Sequence, residues 1–314
     1  MLDTARHSRK RFPDGGAFRV EIPSVEGPRP LLAVLEEAQR YSVAIHRVSQ
    51  GSGVSMLDDA EITDMVQGCQ ADGIELCLFL GPRGTWDIGP TPPPGVGTGP
   101  RVRGWDQLRY SVDDAHRAVG LGVRCLLVSD EGVLWTLHNQ RKNGELPPDL
   151  RLKVSGLIGP SNPAAFAILE GLGADSINVP GDLSVPHLAE IRAVGDAAMD
   201  IYIESPDSVG GFVRHHEATE IVSVAAPVYL KFGLRNAPEI YPTGLHIEDV
   251  AVASARERVR RAHLVLAAMY RTGAIDSMSP PDRSGAMPRP QRFVAEFQDA
   301  GKEMAAETSE AAAR

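Results

Sequence analysis

Eight short apolar runs punctuate the chain, and a stretch with helical spacing follows each one. They are residues 18–23, 43–48, 74–80, 123–128, 150–155, 174–179, 199–204 and 227–232, and most end in polar or charged residues. Continuous apolar strands alternating with amphipathic helices predict an α/β fold, a (β/α)8 TIM-type barrel. Helices are predicted over residues 31–40, 111–120, 132–143, 164–172, 185–194, 211–222 and 247–272, with a further one opening at Asp58, Asp59 and Glu61. The barrel then occupies residues 17–272, flanked by a disordered leader (1–16) and by a linker and C-terminal helix (273–314). Residues 81–104 are too rich in Gly and Pro for helix or strand, and read as a long loop after strand three, placed to act as a lid.

Alternation within each strand sorts side chains into an outer, helix-facing set and an inner set. Val20 and Ile22 face out, which turns Arg19, Glu21 and Pro23 inward. The same parity sends Glu75, Cys77, Lys153, Ser155, Asn178, Tyr202, Glu204, Tyr229 and Lys231 into the barrel. A buried charge needs a partner, so these groups should pair with one another, with a ligand or with a metal. A purely salt-bridged interior is the competing reading.

Chemistry in such barrels collects at the C-terminal ends of the strands. Lys153 and Lys231 are therefore the catalytic candidates as base or imine-forming amine, with Glu21 and Glu204 as acid–base partners. Glu21 and Glu204, with Asp130 or Glu131, also form a candidate oxygen-ligand set for a divalent ion such as Mg or Mn. The substrate-binding candidates are His46, Gln50, Arg83, Asn178, Gly210, Gly211, Arg235 and Asn236. The last four lie in the loops after strands seven and eight, where barrels often seat an anion on backbone N–H groups. His215 and His216 fall inside predicted helix seven, facing solvent or a neighbouring helix.

The net charge of -9 disfavours nucleic acid or an anionic membrane as partner. No apolar run approaches a membrane span. Cys69, Cys77 and Cys125 show no CxxC spacing and read as buried free thiols, which suits a reducing cytoplasm. No nucleotide-cofactor motif is present. The expected partners are a small-molecule substrate and a second copy of the chain, paired through the C-terminal helix.

The segments FRVEIPSVEGP, HRVSQGSGV, CLFLGPRGTWD, LLVSDEGVLW, INVPGDLSVPHLAEIR and VYLKFGLRNAP resemble actinobacterial barrels grouped with the collagenase-like U32 peptidase family. The resemblance covers roughly residues 18–272 and implies a TIM-like barrel and a peptidase. Other members of that family are similar to iron–sulfur-dependent hydroxylases of RNA or quinone precursors. Three scattered cysteines cannot supply four thiolate ligands, so no such cluster is expected. No Ser–His–Asp or zinc arrangement is visible. Three readings follow: an enzyme acting by acid–base chemistry on a carboxylated or phosphorylated metabolite, as a lyase, aldolase or isomerase; a U32-like hydrolase; and a non-catalytic partner-binding barrel.

Overall fold

The structure, a computed structural model, describes residues 7–82 and 101–281. Eight parallel strands close into a barrel in chain order. They are β1 (Phe18–Pro23), β2 (Arg47–Ser49), β3 (Glu75–Phe79), β4 (Cys125–Val128), β5 (Arg151–Val154), β6 (Ser176–Asn178), β7 (Ala198–Glu204) and β8 (Val228–Phe232). Closure is made by β1 and β8, in register from Phe18 against Val228 to Glu21 against Lys231. The surrounding helices are α1 (Pro28–Tyr41), α2 (Asp59–Asp72), α3 (Gly104–Gly120), α4 (Glu131–Lys142), α5 (Pro163–Gly171), α6 (Val185–Val194), α7 (Ala218–Ala225) and α8 (Glu248–Arg271).

Local chemistry sets the helix starts. Asp58 accepts from the Glu61 N–H while the Glu61 side chain accepts from the Asp58 N–H, a reciprocal capping box. Asp130, Asn162 and Ser184 cap α4, α5 and α6 in the same sense. Proline occupies the first turn of α1, α5 and α6, where its missing N–H costs little. The main apolar core lies between strands and helices, built from outward residues such as Val20, Ile22, Leu76, Leu126, Leu152, Ile201 and Leu230. A smaller apolar cluster, Cys77, Phe79, Cys125 and Leu127, fills the interior beside β3 and β4.

Three expectations are corrected. Strand two starts four residues later than its apolar run suggests. Val43 and Ile45 are buried in the outer core as a lead-in, and pairing begins at Arg47, which is in register with Glu21 and Glu75. Helix seven starts at Ala218, because residues 206–217 form turns, including a 3-10 turn at His215–Glu217. Residues 7–16, expected as part of a disordered leader, lie packed against the N-terminal face of the barrel. Ser8 bonds the backbone of Ser223 and Ala226, and Lys10 Nζ donates to the carbonyls of Arg192 (3.2 Å) and Gly195 (2.6 Å). Phe12, 7 % exposed, stands edge-on to Tyr229 and beneath the Arg19 guanidinium. The missed signal was Phe12 itself, a lone apolar anchor in a polar stretch. The lid assigned to residues 81–104 falls largely outside the described residues, as does the C-terminal helix.

Candidate functional site

The barrel interior is a ladder of opposite charges running from floor to mouth. At the floor, Arg19 pairs with Asp14 at 2.7 Å and donates to the Tyr229 hydroxyl at 3.1 Å. Tyr229 in turn donates to Glu75 at 3.4 Å. Arg47 sits at the centre: it pairs with Glu75, with Asp200 at 2.8 Å and with Glu21 at 3.3 Å, and its guanidinium lies 3.6 Å from the centre of the Tyr229 ring. Above it, Lys153 pairs with Glu21 and lies 3.6 Å from Asp200. Glu21 also accepts from Ser49 Oγ at 2.8 Å and lies 3.6 Å from Lys231 Nζ.

Burial alone would make each of these charges expensive, and the pairing offsets it. Burial pushes the Glu21 carboxyl up, but Lys153, Lys231 and Arg47 overcome it and hold the group well below the usual carboxylate range. Burial pulls Lys153 down, yet Asp200 and Glu21 hold its ammonium above the ordinary lysine range. For Asp200, burial prevails over Lys153 and Arg47 and raises the carboxyl. Its Oδ2 is buried without a hydrogen-bond partner among the described residues. Tyr229 is pushed up to about 12 by burial.

The two lysines separate sharply. Lys153 is fully enclosed, its side chain 0 % exposed. Lys231 lines a pocket of about 70 Å³ at the C-terminal mouth, together with Ser49, Ser155, Asn178, Tyr202 and Tyr241. Lys231 Nζ donates to Asn178 Oδ1 and lies 4.1 Å from the centre of the Tyr202 ring. Asn178 is anchored by its own bond to the Val154 carbonyl at 2.5 Å. The walls are held from outside: Glu26 accepts from the N–H groups of Gly51 and Ser52, and the Tyr241 hydroxyl meets Ser24 Oγ.

The remaining candidates are distributed as follows. Glu21, Lys153, Lys231 and Asn178 come together as expected. Gln50 lines the mouth, but its side-chain amide closes its own turn onto Gly53. Glu204 does not join the interior, contrary to its parity. A register shift between Tyr202 and Glu204 gives it the outward setting of its neighbour Phe232. There it accepts from His215 Nε2 at 3.0 Å, the Arg235 N–H at 2.9 Å and Arg261 at 3.4 Å. His215 is therefore bound to Glu204 rather than facing solvent or a helix.

His46 is far from the mouth, at the lower end of β2. Its Nδ1 accepts from the Val20 N–H and its Nε2 donates to the Ser279 carbonyl, both at 3.0 Å. Both ring nitrogens are used, and burial lowers its pKa to about 4, so it is a neutral structural histidine rather than a substrate contact. Asp130 is consumed by capping α4 and by the Val102 N–H, and Glu131 pairs with Arg101 at 2.9 Å. The proposed set of Glu21, Glu204, Asp130 and Glu131 is thus dispersed. Among the described residues no group of three or more His, Cys, Asp or Glu is placed to hold a metal ion. Gly210 and Gly211 both have positive φ (101° and 65°) in a loop, with no α-helix starting on them. Arg235 and Asn236 face the Asp207 carboxylate. Arg83 lies outside the described residues.

Arg47 and Asp200 were not among the residues expected in the interior. Asp200 shares the parity of Tyr202 and was readable from it. Arg47 was hidden by the misplaced start of strand two. All three cysteines are free and buried, and no helix among the described residues is long and apolar enough to cross a membrane.

No family model and no curated protein matches this chain. Solved structures similar to it include a U32 peptidase (16 % identity, TM-score 0.42, covering 72 % of this chain and 95 % of the other). Another is a protein assigned as the copper homeostasis protein CutC from Streptococcus agalactiae (16 %, TM-score 0.44, 68 % and 98 %). A third is a protein assigned as a lyase/mutase from Burkholderia cenocepacia (14 %, TM-score 0.46, 89 % and 91 %). These likenesses extend to the barrel and no further. The U32 resemblance in the sequence is accordingly matched by a shared fold alone. The class defined here is that of a (β/α)8 barrel with a charged interior and a polar C-terminal mouth.

Proposed function

We propose that the mouth is the active site of an enzyme acting on a small carbonyl compound, of lyase or aldolase type, with Lys231 as imine-forming amine. The observation that carries this reading is that Lys231 is the one lysine of the interior ladder that reaches the mouth pocket, while Lys153 is sealed beneath it. A barrel stabilised by neutral ion pairing alone would have no need to present an amine to a pocket.

The chemistry follows from the distances. Lys231 Nζ gives a proton to solvent in the pocket, and the freed lone pair adds to the carbonyl carbon; Glu21, an ionised carboxylate 3.6 Å away, pairs with the ammonium before addition and with the imine cation after it. A proton returns from solvent to the carbinolamine oxygen, which leaves as water and yields a protonated imine. That cation is an electron sink for cleaving or deprotonating the adjacent carbon. Lys153 and Arg47 act as positioning residues, keeping Glu21 ionised and fixed beside the amine. Asn178 orients the amine, and the Tyr202 ring stabilises the cation before and after addition.

Borohydride reduction in the presence of small 2-oxo acids and aldehydes tests this. The expected result is a stable adduct on the peptide carrying Lys231, absent in Lys231→Met. Absence of any lysine adduct across such a panel, with folded protein, would overturn it.

A further inference from the structure

The loops after β7 and β8 carry the groups that would seat an anion beside the mouth, and the chain has already filled that seat. Arg235 Nε donates to Asp207 Oδ1 at 2.6 Å, and the Asn236 N–H donates to Asp207 Oδ2 at 2.5 Å. Asn236 has φ +56°, so its backbone is turned into the left-handed region to aim that N–H. A second amine of the guanidinium donates to the Gly211 carbonyl, which fixes the plane of the fork. Gly211 suits the place through its φ of +65°, and a Cβ there would stand 2.9 Å from Asp207 Oδ1 and 3.0 Å from Arg235 Nε, side-chain atoms that would have to shift. The Arg235 N–H is itself spent on Glu204 at 2.9 Å. Val209, in the same 3-10 turn as Asp207, forms part of the mouth wall. Asp207 itself does not line the pocket: its carboxylate, about half exposed, stands two residues from Val209 beside the mouth and is held from two sides.

We infer that Asp207 is a specificity residue, a built-in carboxylate occupying the place a substrate phosphate would take, and that the substrate class is unphosphorylated carbonyl compounds. The inference rests on the mouth being the active site. A phosphate on the substrate would meet the Asp207 charge and find the donors of Arg235 and Asn236 already taken. A charged planar fork binds carboxylate and phosphate alike, so the occupant decides the specificity. Discrimination here is by repulsion and prior occupation rather than by lack of donors.

Inorganic phosphate is the probe, read by calorimetric titration and by the phosphate dependence of the melting temperature. Wild type is expected to show no saturable binding in the millimolar range. Asp207→Ala should bind phosphate at least about tenfold more tightly, and Asp207→Ala/Arg235→Ala should lose the gain. Asp207→Ser, which keeps a hydroxyl for the turn, serves if the alanine variant does not fold. Saturable millimolar phosphate binding by wild type, or no gain in a folded Asp207 variant, overturns the inference. The borohydride panel distinguishes the two levels: a gain of phosphate binding in the variant without any Lys231 adduct upholds the filled seat and sinks the imine chemistry. An adduct in wild type formed better with phosphorylated than with unphosphorylated carbonyls upholds the imine and sinks the substrate class.

Discussion

Single side chains in this barrel act through what they leave unpaired when altered. Lys153 neutralises Glu21 and Asp200 in a fully buried setting. Lys153→Met should therefore lower the unfolding free energy by about 3–5 kcal/mol, measured by urea denaturation. Lys231→Met, which removes only the longer 3.6 Å pair with Glu21, should lower it less while abolishing the imine adduct. If both substitutions destabilise equally, the division of labour between the lysines is wrong. His46 gives a pH signature. Its pKa drops from 6.5 to about 4 on folding, because burial disfavours the imidazolium. Between those values the unfolded chain binds the extra proton, so stability is complete above pH 6.5 and falls as the pH is lowered towards 4. The loss amounts to about 3 kcal/mol. His46→Gln should flatten the pH dependence between pH 6.5 and 5, above the range in which carboxylates titrate; an unchanged slope there would refute the assignment.

Elements decide where those side chains end up. The periodicity of apolar runs made all eight strands legible, and β1 and α6 coincide with their expected bounds. What was not legible are departures from regularity. The bulge in β7 moves Glu204 out of the interior without changing the pattern of apolar residues around it. The late start of β2 turns Arg47 inward although the run before it reads as strand. The metal set failed for a related reason: Asp130 satisfies the backbone of its own helix, a local role that the spacing of acidic residues does not reveal. The segment below the barrel gives an element-scale test. Phe12 is its only deeply buried large apolar side chain, set against Tyr229 and Arg19. Phe12→Ala should destabilise by about 3 kcal/mol in denaturant unfolding while leaving the Lys231 adduct intact. Loss of the adduct in a folded variant would mean that floor and mouth are coupled.

For the molecule as a whole, the interior is balanced. Arg19, Arg47, Lys153 and Lys231 face Asp14, Glu75, Asp200 and Glu21 through contiguous contacts. Removing one member leaves a net charge in a closed space, whereas removing a pair does not. Glu21→Gln with Lys153→Met should thus cost less than the sum of the single changes, with a coupling on the order of 2 kcal/mol. Additivity in that cycle would show that the ladder is a set of independent pairs. The closure of β1 on β8 carries a further consequence for synthesis. Residues 8–19 are made well before Arg192, Gly195, Ser223, Ala226 and Tyr229, the groups that receive them. Until then Arg19 has Asp14 as its nearby counter-ion, and Glu21 waits for both lysines. Without β8 neither β1 nor β7 has its partner on that side, and the charges of the interior stay open to water until that strand pairs with both.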